Sequence, residues 1–178
     1  MSRGLPQERV FPWEIADPEV LKRYDVMLLS CPAATRGSLD EALVEWIRAG
    51  GRAYVETWPA MQAAYPLQEF VSILGNAPER CDVVVTTTDH PITQGLDPAK
   101  PMDLFHLTGT FIWPRQPDQA RVLAGFCSEA GALLPRAGAV VCVPIGQGEL
   151  VYSGAPLAFC CFHRGPTTAS RWTSRAGP

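Results

Sequence analysis

The sequence lacks an uninterrupted apolar stretch of the roughly 20 residues that a bilayer-spanning helix needs. Its start, "MSRGLPQERVFPW", carries no apolar h-region, so no secretory signal and no membrane partner are expected. A basic run or stripe is also missing, and the net charge is −3. Nucleic-acid binders displace counterions with clustered Lys and Arg, so no nucleic-acid partner is expected. There is no C-x-x-C and no H-E-x-x-H, and no pair of His or carboxylate residues has metal-site spacing. On linear spacing, neither a metal nor another cofactor is expected.

What is present is ordinary for a soluble globular protein. Apolar residues make up 47% and charged residues 19% of 178 residues, enough for one domain with a sizeable core. Cysteines stand at 31, 81, 127, 142, 160 and 161, mostly inside apolar segments. Free, buried thiols in a reducing compartment are expected, and with them a cytoplasmic location. No disulfide is expected among Cys31, Cys81, Cys127 and Cys142.

Along the chain, "VFPWEI" reads as a loop or short strand. "DPEVLKRY" opens a helix, with Asp17 as N-cap and Pro18 at the first helical position. "DVMLLS" is a continuous apolar run, typical of a strand buried on both faces. "SLDEALVEWIRAG" is the clearest helix. Ser38 and Glu41 suit a capping box, Leu39, Leu43, Trp46 and Ile47 form a stripe, and Gly50 stops it. "RAYVE" and "CDVVVTTT" read as strands. "MQAAYPLQEFVSILG" carries a helical pattern broken at Pro66. "DHPITQGLDPAKP" is a loop. "MDLFHLTGTFIWP", "ARVLAGFCSE", "GAVVCVPIGQG" and "ELVYSGAPLAF" read as further strands, with "GQG" a tight hairpin rather than a phosphate loop. The alternation argues for an α/β fold with a mostly parallel sheet and helices on both faces, the later strands adding a mixed or antiparallel extension. The expected organisation is an N-terminal segment and first helix over 1–23, an α/β domain over 24–158 and an irregular tail over 159–178.

Within "AGGRAYVETWPAMQ" a strand, a sharp turn and a helical start follow one another. In many α/β enzymes such an elbow carries the nucleophile; here it offers Glu56, Thr57 and Trp58. Glu56 suits a general base or a sugar-hydroxyl acceptor, or else a solvated strand-end carboxylate. Thr57 needs a base that the local sequence does not supply. Trp58 suits stacking on a sugar ring, or an ordinary core position. Cys31 ends "VMLLS", where ligand-facing loops gather in open sheets, or is simply a small buried side chain. His90 suits a base or a metal ligand, or, flanked by Asp89 and Pro91, a residue that hydrogen-bonds its own turn. His106 reads as a strand-face residue.

"RYDVMLLSCP", "IRAGGRAYVETW", "DHPITQGLDP" and "GQGELVYSGAP" together resemble the class I glutamine amidotransferase-like superfamily, in particular its trehalose-utilisation (ThuA-like) branch. The likeness spans Tyr24 to Pro156. It implies a flavodoxin-like sheet, here with the N-terminal βα unit shortened or absent. Working members place a Cys at the elbow beside a His, and this elbow has none. The resemblance therefore implies a domain that is not a functional glutaminase and that binds a small polar ligand or carbohydrate. Cys31, Glu56, Thr57, Trp58 and His90 are the candidate ligand-binding residues, and no catalytic residue is assigned. Two alternatives stand beside this reading. One is a structural or oligomerisation module forming a homo-oligomer, since relatives of this fold serve as assembly domains in sugar-processing enzymes. The other is a hydrolase or sugar-modifying enzyme using Glu56, Thr57 or Cys31.

Overall fold

The computed structural model describes residues 12–30, 38–56, 67, 69–77, 81–102, 109–128 and 131–155. Cys31, Thr57, Trp58, His106, Cys160, Cys161 and His163 lie outside the described residues, as does the tail expected over 159–178.

The N-terminal residues of this region form two single-turn helices, α1 (Pro12–Ile15) and α2 (Pro18–Leu21). "PWEI" is thus helical rather than extended, because Pro12 takes a first-turn position where its missing N–H costs nothing. Asp17 caps α2 by accepting from the Glu19 amide at 2.9 Å. The chain then enters β1 (Val26–Ser30), crosses over through α3 (Ser38–Arg48) and returns as β2 (Arg52–Glu56), parallel to β1. A crossover helix is what a parallel pair requires.

Leu43, Val44, Trp46 and Ile47 of α3 are buried, while Glu41, Glu45 and Arg48 face solvent. The side chain of Leu39 lies outside the described set. Each fully buried Leu or Ile contributes roughly 1.5–3 kcal/mol of burial energy. The helix ends in a Schellman motif. Gly50, at φ +118°, donates to the Ile47 carbonyl, and Gly51 donates to the Trp46 carbonyl. The Trp46 indole N–H reaches the Tyr24 carbonyl at 3.2 Å and pins α3 to the entry of β1.

The remaining strands are β3 (Val71–Asn76), β4 (Asp82–Val85), β5 (Thr110–Pro114), β6 (Arg121–Cys127), β7 (Leu133–Ile145) and β8 (Gly148–Ser153). All eight form one sheet along the order β1-β2-β8-β7-β5-β3, with β6 joining β7 to β4. Only β1–β2 and β2–β8 pair in parallel; the other five pairings are antiparallel. The expected mostly parallel sheet is therefore corrected to a mixed one. The reason lies in the connections: β7 and β8 are joined through Gly146 and Gln147 alone, too short for a crossover. The helical pattern is corrected over 71–75, while residues 61–66 and 68 lie outside the described residues. Val71–Asn76 is a strand paired with β5, its Val and Ile contents favouring that state.

Helices on both faces are not found among the described residues. One core packs α1, α2 and α3 against Ala53, Val55, Leu150 and Tyr152. The other, around Val83, Leu123, Phe126, Val140 and Val151, includes no helical residue. The turn between β7 and β8 closes onto the end of α3, where the Gln147 amide donates to the Arg48 carbonyl at 3.0 Å. That bond satisfies a carbonyl the helix leaves without an internal partner. Gly148 makes the approach possible, since a Cβ there would sit 2.2 Å from the carbonyl oxygens of both Gly51 and Ile47.

Candidate functional site

The three parallel strands end together. Ser30, Glu56 and Ser153 stand side by side in register at the carboxyl edges of β1, β2 and β8. Ligands in open α/β sheets bind outside this edge. Alternation along a strand puts Arg52, Tyr54 and Glu56 on one face, opposite the face carrying Ala53 and Val55 that α3 covers.

Glu56 is fully buried, at 0% exposure. Its Oε2 accepts from the Tyr54 hydroxyl at 3.4 Å. Burying a carboxylate is costly unless hydrogen-bond donors surround it, so its retention at a strand end marks a polar site. Beside it the chain is shaped tightly. The Ser153 hydroxyl donates to the Ala155 carbonyl at 2.8 Å and accepts from the Ala155 amide at 3.3 Å. The Gly154 carbonyl accepts from the Thr110 amide at 2.7 Å. Thr110 is fully buried, and its hydroxyl has no hydrogen-bond partner among the described residues. The edge therefore combines a buried carboxylate with buried hydroxyls, a set that accepts and donates to alcohols. The strands leading into Cys31 and Thr57 end here, although those two residues and Trp58 lie outside the described set.

His90 does not belong to this edge. It lies 3.5 Å, through Nε2, from Oε2 of Glu149, which pairs with Arg52 at the start of β2. Four residues of strand, roughly 13 Å, separate that end from Glu56. His90 is 5% exposed and organises its own loop: Nδ1 accepts from the Ile92 amide at 3.3 Å, and its carbonyl accepts from the Gln94 amide at 2.8 Å. The preceding residue, Asp89, is ion-paired with Arg121.

Cys142 completes this second group, its Sγ 3.7 Å from Glu149 Oε2. One donor atom from each of His90, Cys142 and Glu149 lies within 4.8 Å of the others. Burial, then the neighbouring Glu149 charge, pushes the Cys142 thiol up to about 12. Sequence reasoning missed the group because no linear spacing links His90 to the other two. One signal was present. A two-residue hairpin at Gly146–Gln147 places Cys142 opposite Val151, diagonal to Glu149 and on the same face.

No helix among the described residues is long and apolar enough to cross a membrane. Cys81, Cys127 and Cys142 are free thiols. No protein-family profile and no curated protein matches the chain. Solved structures share its fold. A cytoplasmic protein from Salmonella typhimurium LT2 matches with a TM-score of 0.59 at 15% identity, over 87% of this chain and 71% of that one. A second cytoplasmic protein from Salmonella typhimurium gives 0.56 at 16% identity, over 81% of this chain and 64% of that one. A β-galactosidase from Rahnella sp. R3 gives 0.56 at 17% identity, over 79% of this chain. This chain spans 21% of that enzyme's length, so the likeness is to one part of it. At these identities what is shared is the fold, a mixed α/β sheet.

Proposed function

We propose that this chain is a ThuA-like domain of the class I glutamine amidotransferase-like superfamily that lacks the elbow cysteine. It binds a small polar ligand, a carbohydrate, at the carboxyl edge of β1, β2 and β8 without transforming it. The observation that carries the reading is Glu56, a carboxylate at 0% exposure where the three parallel strands end. A carboxylate with two oxygens accepts hydrogen bonds from adjacent sugar hydroxyls, and Tyr54 supplies one fixed donor to it. The occurrence of the same fold within a β-galactosidase supports the choice of carbohydrate over other polar ligands. The free thiols support a reducing compartment, the cytoplasm.

Isothermal titration with a panel of mono- and disaccharides tests this. At least one sugar is expected to bind, and Glu56→Gln is expected to weaken it about tenfold or more while circular dichroism stays unchanged. That matches the loss of a charge-assisted hydrogen bond, roughly 1.5–3 kcal/mol. A folded wild type that binds none of the panel contradicts the proposal.

A second reading, a structural or oligomerisation module, is favoured by one observation. Val26 and Leu28 of the terminal strand β1 are 61% and 43% exposed. Exposed apolar strand edges pair with other chains unless guarded by charge, proline or a bulge, and "VMLLS" contains no charge and no proline.

A further inference from the structure

We propose that His90, Cys142 and Glu149 form a zinc site that clips the loop following β4 to the β7–β8 hairpin. The site is separate from the carboxyl edge and does not depend on the carbohydrate reading. The donor set is imidazole nitrogen, thiolate sulfur and carboxylate oxygen, the ligand types zinc takes; the sulfur disfavours calcium and magnesium. Tetrahedral zinc with ordinary bond lengths holds such donors about 3.3–3.6 Å apart. Here Glu149 Oε2 is 3.5 Å from His90 Nε2 and 3.7 Å from Cys142 Sγ. The His90 and Cys142 donors lie within 4.8 Å of each other, so closing the set draws those two side chains together around the ion.

Three further features suit a cation. His90 Nε2 is buried, has no hydrogen-bond partner among the described residues, and faces the other two donors. Arg52 Nε stands 3.7 Å from Oε1, the other oxygen of Glu149, and orients the carboxylate as an outer-shell group does. Glu149 is 29% exposed, which leaves an entry path and a solvent-facing fourth position for water. The nearby cations are already paired, Arg52 with Glu149 and Arg121 with Asp89.

One contact must change. Nδ1 now accepts from the Ile92 amide at 3.3 Å. Coordination through Nε2 leaves the ring proton on Nδ1, so that bond is given up. The Ile92 amide, part-buried in that contact, loses its acceptor, and zinc binding has to offset that loss. As the zinc–sulfur bond forms, the Cys142 proton leaves to solvent, and two anionic ligands balance the dication.

The test uses the full chain, stripped with EDTA and then titrated with Zn2+ against a chromophoric chelator and with Co2+ by absorbance. One equivalent of Zn2+ per chain is expected, with a sulfur-to-cobalt charge-transfer band for Co2+. Cys142→Ser is expected to abolish the band and weaken Zn2+ at least about 100-fold. Glu149→Gln, at a partly exposed position that leaves folding intact, is expected to weaken Zn2+ by about tenfold or more. Saturating Zn2+ raises the melting temperature most in the wild type, less in Glu149→Gln and least in Cys142→Ser. A folded wild type that takes up no stoichiometric Zn2+ overturns the proposal. So does binding that survives both variants but disappears when Cys160 and Cys161 are replaced.

Discussion

At Gly148 a methyl group meets two carbonyl oxygens, those of Gly51 and Ile47, at 2.2 Å each. Both are backbone atoms at the end of α3, so neither can rotate aside. Gly148→Ala is expected to cost about 1–3 kcal/mol, read as a lower urea midpoint at unchanged slope. Gly95 is the control. It has φ +82° but nothing within 4 Å of an added Cβ, so alanine there meets only backbone strain, about 1–2 kcal/mol. A Gly148→Ala protein as stable as the wild type would show that the hairpin does not close on the helix. Cys142 makes a second prediction at this scale. Burial first, and Glu149 next, hold its thiol up at about 12 against an ordinary 9.0. In metal-free protein the folded state keeps this proton where the unfolded chain releases it. The contribution of Cys142 to stability is therefore complete below pH 9 and is lost as pH rises toward about 12. The fall in urea midpoint over that window is expected to be shallower in Cys142→Ala. In native protein near neutral pH, iodoacetamide followed by peptide mass mapping is expected to leave Cys142 unmodified.

β1 shows how an element can be legible in kind and misjudged in place. An apolar run such as "VMLLS" is what a strand covered on both faces requires, and it does pair in parallel with β2. In the sheet it is the terminal strand of the order, with Val26 and Leu28 open to solvent. Leu28→Lys is accordingly expected to change monomer stability by less than about 0.5 kcal/mol. By sedimentation velocity, self-association is expected for the wild type and not for the variant. Equal behaviour of the two would remove the observation on which the assembly reading rests. The body and end of α3 are readable because their signals are local: the stripe of Leu43, Trp46 and Ile47 and the glycine stop lie within the helix and its cap. β3 is not, because Phe70, Val71 and Ile73 fit a helical spacing as well as a strand, and only pairing with β5 decides between them. Likewise no feature of the sequence around His90 foretells that Cys142 and Glu149 stand beside it; that meeting is made by the loop following β4 and the hairpin folding onto one sheet face.

On the scale of the whole molecule, the parallel strands β1, β2 and β8 share one carboxyl edge, and the antiparallel strands extend the sheet beside it. In the sequence, Cys31 at the end of "VMLLS" and Glu56 at the end of "RAYVE" mark two of these strand ends. His90 sits at the other ends of these strands, beside Glu149. In the proposed function the carboxyl edge, and not the His90 end of the strands, receives the ligand. Amide chemical-shift mapping on labelled protein, titrated with the tightest-binding sugar of the panel, tests it most directly. Perturbations are expected to concentrate at Ser30, Glu56 and Ser153–Ala155, with Arg52 and Glu149 unmoved. No saturable perturbation, or a cluster centred on His90, Arg52 and Glu149, would contradict it.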